Sequence, residues 1–258
     1  MNDAQKKLAI VTGAAQGVGF AAVEKFLREG WQVAMMDVDS KALTLAMEQL
    51  DLPDDTLAIE CDVSSPDDVN DAIEKIVDRF GRIDSLINNA GTAELLPILD
   101  TDLKVWSRIM AVNLNGPFLC TQACVPVMLK KGVGSVVNIV SISGLRASIL
   151  RTAYGTSKAA LIHLTKQQAL EFGAQGVRVN AVAPGPVDTA LAQREHSPAM
   201  RADYYDAIPL NRYGTEPEIA EAIFFLASNK ASYINGQILA VDGGFESAGI
   251  GLPTLRKG

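Results

Sequence analysis

Short apolar runs alternate along this chain with stretches in which apolar residues recur every three or four positions. Residues 8–12 form a strand-like run, after which Ala22, Val23, Phe26 and Leu27 recur at helical spacing and Gly30 supplies a stop. The same reasoning predicts strands over 31–37, 56–61, 83–88, 135–140, 177–182 and 237–241. Helices are predicted over 40–50, over 102–131 with a kink at Gly116-Pro117, and over 153–172 and 218–226. The clearest helix carries the stripe Val69, Ala72, Ile73, Ile76, Val77 and Phe80, with Pro66 near its start and Gly81 past its end. Strands alternating with helices of this length imply βαβ units with right-handed crossovers. The expected fold is therefore α/β: one doubly wound parallel sheet of seven strands, with helices on both faces. No linker divides the chain, so 1–258 reads as a single domain. The long unpatterned stretch 184–217 reads as a lid. The tail 246–258 shows no pattern, and is expected to dock on a neighbouring subunit or to fray.

Composition narrows the function. With 258 residues, 48% of them apolar and 21% charged, the chain is an ordinary globular sequence. It needs no metal or disulfide staple to build its core. A net charge of −7 argues against a surface built for nucleic acid or for anionic membranes. Cys61, Cys120 and Cys124 form no CxxC pair and read as small buried hydrophobes. His163 and His196 are the only histidines, too few for a His-rich metal site. The N-terminal apolar run is too short for a signal peptide, and no apolar stretch is long enough to span a bilayer. A cytoplasmic, thiol-reduced protein is expected.

The first strand leads into Thr12-Gly13-Ala14-Ala15-Gln16-Gly17-Val18-Gly19 and then a helix. Glycines in such a turn let the backbone approach a pyrophosphate, and the helix N-terminus favours its negative charge. The spacing is GxxxGxG, not the common GxGxxG. Eighteen residues after Gly19 the second strand ends at Asp37, where an acidic residue accepts hydrogen bonds from an adenosine ribose. Together these features predict Rossmann-type dinucleotide binding. Asp37 repels a 2′-phosphate, so NAD is the expected cofactor rather than NADP.

The chain resembles the short-chain dehydrogenase/reductase family over essentially its whole length. Thr12–Gly19 is similar to its cofactor loop, Asn88-Asn89-Ala90-Gly91 to its NNAG motif, and Cys61-Asp62-Val63 to the segment whose Asp contacts adenine. Asn113, Ser141 and Tyr154-Gly155-Thr156-Ser157-Lys158 resemble its catalytic set, with Ser141 thirteen residues before Tyr154. Pro184-Gly185-Pro186-Val187-Asp188-Thr189 resembles the turn beside the nicotinamide.

The resemblance implies reversible hydride transfer between a nicotinamide and a secondary alcohol or ketone. Tyr154 moves the hydroxyl proton, Ser141 bonds the reacting oxygen, and Lys158 assists Tyr154 and bonds the nicotinamide ribose. The Asn113 carbonyl holds a relay water, and Val187 and Thr189 hold the carboxamide. Tyr154 and Lys158, four apart, share one helix face. Lowering a phenol pKa by ~3 units takes ~4 kcal/mol of preferential phenolate stabilisation, expected from Lys158 and an oxidised nicotinamide. The substrate is expected to be a small polyol, sugar or hydroxy acid, met by Glu94, Ser143, Arg146 and Arg151, with Arg194, His196 and Arg201 on the lid. The alternatives are an NADPH-dependent 3-oxoacyl-thioester reductase and a non-catalytic NAD-binding sensor. The family also implies a homotetramer, for which Phe118, Leu161, Phe224 and Phe225 are apolar positions beyond those a core requires.

Overall fold

Seven parallel strands form one sheet: β1 (Leu8–Thr12), β2 (Gln32–Asp37), β3 (Thr56–Glu60), β4 (Ser85–Asn88), β5 (Gly134–Ile139), β6 (Val177–Pro184) and β7 (Ile238–Val241). Their order is β3-β2-β1-β4-β5-β6-β7, so the connection reverses direction between β1 and β4. Ligands of open α/β sheets bind at such a switch point, outside the carboxyl ends of the strands. The computed structural model describes residues 6–50, 52 and 54–249.

On one face α1 (Gly17–Arg28) packs against α10 (Glu216–Ala227), beside α2 (Ser40–Leu50). Phe26, Trp31 and Phe224 meet there edge-to-face, with centroids 5.2, 5.2 and 6.0 Å apart. The other face is covered by α3 (Pro66–Phe80), α5 (Gly116–Leu129) and α7 (Thr152–Gly173), with α4 (Leu103–Met110) packed against α7. Ser65 caps α3 by accepting from the Asp68 amide, and Gly81 ends it at φ +69°. All five residues that α3 buries belong to the stripe read from the sequence.

Three expectations need correction. The helical region 102–131 is two helices joined by a π turn, Ala111–Asn115, so the distortion falls just before Gly116-Pro117. Gly116 packs so closely on Val63 that a Cβ there would lie 2.8 Å from its Cγ2. A one-turn helix, α6 (Ile142–Leu145), follows β5. The stretch 184–217 is not irregular: it holds α8 (Ala190–Glu195), capped by Thr189, and α9 (Pro198–Ala207), capped by Ser197. Finally, Leu161 and Phe224 are core residues of the subunit, whereas Phe118 and Phe225 are exposed. Cys61, Cys120 and Cys124 are free and buried, which pushes each thiol up, the first two to about 12. The tail makes one 3₁₀ turn, Glu246–Ala248, and 250–258 lies outside the described residues. Among the described residues no helix is long and apolar enough to cross a membrane.

Candidate active site

The turn after β1 is shaped by close backbone approach. Gly13 and Gly17 both adopt φ +62°, where a side chain is strained. Gly19 lies in the first turn of α1, under the loop, and a Cβ there would lie 2.0 Å from the Gly13 carbonyl oxygen. Asn89, at the end of β4, donates from Nδ2 to the Thr12 and Gly13 carbonyls at 3.0 and 2.9 Å. The amides of Asn89 and Ala90 donate to Thr12 Oγ1, each at 3.0 Å. From β2, Asp37 Oδ2 accepts from the Ala15 amide at 3.0 Å, and Oδ1 from the Asp39 amide at 3.1 Å. The NNAG segment and Asp37 thus fix the glycine loop from both sides.

A cleft of about 670 Å³ opens over this loop. Gly13, Gln16, Gly17 and Val18 form one wall, and Asp37, Asp62 and Val63 the end toward β2 and β3. Asn89, Ala90, Gly91 and Thr189 form the opposite wall. Asp62 keeps its place by accepting from the Ser64 amide and hydroxyl at 2.9 and 2.7 Å. Gln16 caps α1 without a side-chain bond, and the first turn of α1 carries no acidic residue. A glycine cradle at an uncapped helix N-terminus, with a carboxylate at the far end, fits a dinucleotide. Gly19 serves this cleft from beneath and does not line it.

The catalytic candidates converge where β5 ends. Ser141, the N-cap of α6, accepts from the Ser143 amide at 3.1 Å and shares a side-chain hydrogen bond with Tyr154. Lys158 lies one turn along α7 from Tyr154, its Nζ 5.8 Å from the phenol ring centroid and 2.7 Å from the Ile139 carbonyl. Burial pulls the Lys158 pKa down to about 8. Asn113 is wholly buried in the π turn: Oδ1 accepts from the Thr92 amide at 2.8 Å, and Nδ2 donates to the Thr92 carbonyl and Ser157 Oγ at 2.9 and 3.0 Å. It is a positioning residue, tying the loop after β4 to α7.

The Tyr154 phenol is not lowered in the protein by itself: burial raises it, while the Ser141 bond and the nearby Arg151 act in the opposite direction.

Tyr154, Ser141 and Lys158 line a cavity that runs from Val18 and Gly91 at the cofactor cleft to Pro184, Gly185 and His196. It continues into a space of about 600 Å³ between α6, α7 and the lid helices, where Val187 and Ser143 also lie. The substrate candidates separate at this point. Arg151 faces both spaces, its Cζ 5.3 Å from the Tyr154 ring centroid. Ser143 bonds Ser148 at 3.1 Å, and Glu94, at the rim, is held by Arg108 at 2.5 Å. Arg146 does not line either space: it stacks 4.1 Å over Phe245 and donates to that residue's carbonyl. Arg201 is bound to Asp188 at 2.6 Å, and Arg194 borders the cofactor cleft. Thr189 caps α8 with its hydroxyl while lining all three spaces.

The sequence reading missed Met200, Tyr204 and Phe245, which wall the substrate space. The pair Ser197-Pro198, an N-cap followed by proline at the first helical position, was the available signal for the helix that carries two of them. A further cavity of about 780 Å³ lies at the amino ends of the strands, where Asp84 joins Arg82 and Lys131. It is remote from this chemistry. The described residues include no cluster of three or more metal-ligating side chains.

Comparison with known proteins agrees with this arrangement. A family model described as enoyl-(acyl carrier protein) reductase matches residues 13–246. A 2-(R)-hydroxypropyl-CoM dehydrogenase of Xanthobacter autotrophicus is 39% identical, covering 93% of this chain and 98% of its own. A 3-oxoacyl-(acyl-carrier-protein) reductase of Thermotoga maritima is 38% identical, covering 92% and 97%. A cis-4-hydroxycyclohexanecarboxylate dehydrogenase of Sinomonas cyclohexanicum is 37% identical, covering 93% and 96%. The solved structure of ElxO with NADP bound superimposes with a TM-score of 0.89 at 31% identity, over 94% of this chain and 99% of that one. With a glycine cradle, a Ser-Tyr-Lys cluster and relatives of this extent, the chain belongs to the short-chain dehydrogenase/reductase family, nicotinamide-dependent oxidoreductases acting on CH–OH groups.

Proposed function

We propose that this protein interconverts a small secondary alcohol and its ketone with NAD(H). The observation that carries the reading is the convergence of Ser141, Tyr154 and Lys158 on one cavity continuous with the glycine cleft. A bound nicotinamide supplies the hydride acceptor or donor and, when oxidised, a positive charge near the phenol. Ser141 holds the reacting oxygen against the Tyr154 hydroxyl, so charge developing there meets two oriented donors. In oxidation Tyr154 accepts the alcohol proton, and in reduction it returns one to the carbonyl oxygen. Lys158 keeps a cation beside this pair. The Asn113 carbonyl, in the π turn, is the proposed anchor of a water that refills the proton through Lys158.

NAD rather than NADP is supported by Asp37, whose carboxylate stands at the β2 end of the cleft. We assign α8 and α9 as the substrate lid within one catalytic domain, and a cytoplasmic homotetramer as the working form, with Phe118 and Phe225 among its exposed apolar residues. Sedimentation at micromolar concentration tests the assembly, and a monomer rejects it. A second reading, reduction of 3-oxoacyl thioesters with NADPH, is favoured by the Thermotoga relative. Steady-state assays pairing both cofactors with secondary alcohols and an acetoacetyl thioester separate the two. Turnover of alcohols with NAD supports the first, and efficient thioester reduction with NADPH the second. Cofactor binding without any turnover rejects both in favour of a sensor.

A further inference from the structure

The substrate space has an apolar stretch of wall, Leu95, Ile149, Leu150, Met200 and Phe245, beside polar residues that include Ser148, His196 and Asp203. Arg151 reaches into it from the N-cap of α7. Of the other arginines near the lid and its flanks, Arg146 is engaged on the Phe245 carbonyl, Arg201 on Asp188 and Arg212 on Glu218, while Arg194 borders the cofactor cleft and does not line this space. Arg151 is different. Among the described residues no carboxylate comes within 4.0 Å of it, Asp203 on the facing wall included, and its guanidinium lies against the Tyr154 ring. A partly buried guanidinium without a counter-ion is costly unless a ligand completes it. Its positive field reaches the reacting centre, acting on both Tyr154 and His196.

We propose that Arg151 is the anion clamp of the substrate site. The substrate class is then a secondary alcohol or ketone on a short apolar chain or ring that ends in one carboxylate or sulfonate. This rests on the reaction proposed above and names its substrate. The geometry argues for each part. Ser148, His196 and Asp203 leave partners for hydroxyl groups, so it is the charge of Arg151, and not the walls, that favours the hydroxy acid over a sugar or polyol. One uncompensated cation matches a single negative charge, and the guanidinium fork bonds two oxygens of such a group at once. Because Arg151 stands three residues before Tyr154 on the same helical turn, an anion held by it fixes the carbinol against Ser141 and Tyr154. A neutral acyl thioester leaves the clamp empty.

The test uses the whole protein with NAD and matched probes: cis-4-hydroxycyclohexanecarboxylate, its methyl ester, and 3-hydroxybutane-1-sulfonate. Wild type should prefer the acid to its ester by about tenfold or more in kcat/KM. Arg151→Ala should collapse that ratio to about threefold or less, mainly through KM, and Arg151→Lys should keep part of it. The sulfonate decides which head group fits better. Calorimetric titration with cyclohexanecarboxylate, which cannot react, reads the clamp without turnover, and Arg151→Ala should weaken it by about tenfold or more. NADH binding by Arg151→Ala shows that the variant is folded. An acid-to-ester ratio near one in wild type, or carboxylate binding unchanged in Arg151→Ala, overturns the clamp. Carboxylate binding lost in Arg151→Ala, with no alcohol turned over by wild type, upholds the clamp and rejects the proposed reaction.

Discussion

Lys158 Nζ donates to the Ile139 carbonyl oxygen at 2.7 Å, which places an amine at the end of β5 with only 4% of the residue exposed. Among the described residues no close carboxylate opposes its desolvation, and its pKa falls to about 8. Below that pH the folded protein carries a buried ammonium that the unfolded chain would hydrate. Between about 8 and the ordinary lysine value the unfolded chain binds more protons, so stability rises with pH across that window. Lys158→Met should therefore stabilise the cofactor-free protein at pH 7, by on the order of 1–3 kcal/mol, while abolishing turnover. Thermal melts across the pH range read the effect, and the gain should shrink as the pH climbs past 8. A variant less stable than wild type at pH 7 contradicts this account of the site.

Tyr154 is half-buried at the cavity wall, and desolvation raises its phenol. Alcohol oxidation, which needs the phenol to take a proton, should accelerate as the pH rises. Ketone reduction, which needs the protonated form, should be favoured toward neutral pH. Tyr154→Phe should lower kcat by about 10²–10⁴-fold, the range for general acid–base groups, with NADH affinity nearly unchanged. Retention of more than about a tenth of wild-type kcat would reassign the proton to another group.

Asp37 carries two tasks that its variants should separate. Its oxygens hold the Ala15 and Asp39 amides, and its charge faces the end of the cofactor cleft. Asp37→Asn removes the charge while keeping an acceptor oxygen for the Ala15 amide. Asp37→Ala removes both. Each should narrow the NAD over NADP preference, but Asp37→Ala should also raise KM for NAD more than Asp37→Asn does. Equal kcat/KM with the two cofactors in wild type is the contrary result.

Legibility in the sequence followed physical context. Helix α3 declared itself because one face is buried and the other wet, with Ser65, Pro66 and Gly81 marking its ends. Helix α5 buries one face, which includes Cys120, Cys124, Val125 and Met128, but Phe118 and Pro126 on the exposed face are apolar as well, so periodicity could not separate it from the π turn before it. Helix α9 buries no residue and left no stripe to read; only its cap was visible. At the site, Ser141, Tyr154 and Lys158 were legible because one strand end and one helical turn fix them. Arg146 and Arg151 were not separable. The turn of α6 carries Arg146 away to Phe245, whereas α7 starts at Arg151 and aims it at the cavity.

Gly19 offers the sharpest separation of fold from function. A methyl group there would sit 2.0 Å from the Gly13 carbonyl oxygen and 2.6 Å from Asn89 Nδ2. Neither can retreat freely, because Gly13 itself abuts the Ala90 backbone and Asn89 is committed to two carbonyls. Gly19→Ala should displace the loop that the cofactor phosphates would occupy and raise the Kd for NADH by about a hundredfold or more, a conservative reading of a lost cradle. Gly30→Ala is the control. Gly30 has φ +77°, and a methyl added there would meet nothing within 4 Å, so its cost is backbone strain alone, roughly 1–2 kcal/mol of stability. That variant should melt earlier than wild type yet bind NADH normally in fluorescence titration. NADH affinity unchanged in Gly19→Ala would show that the phosphates bind elsewhere than on this turn.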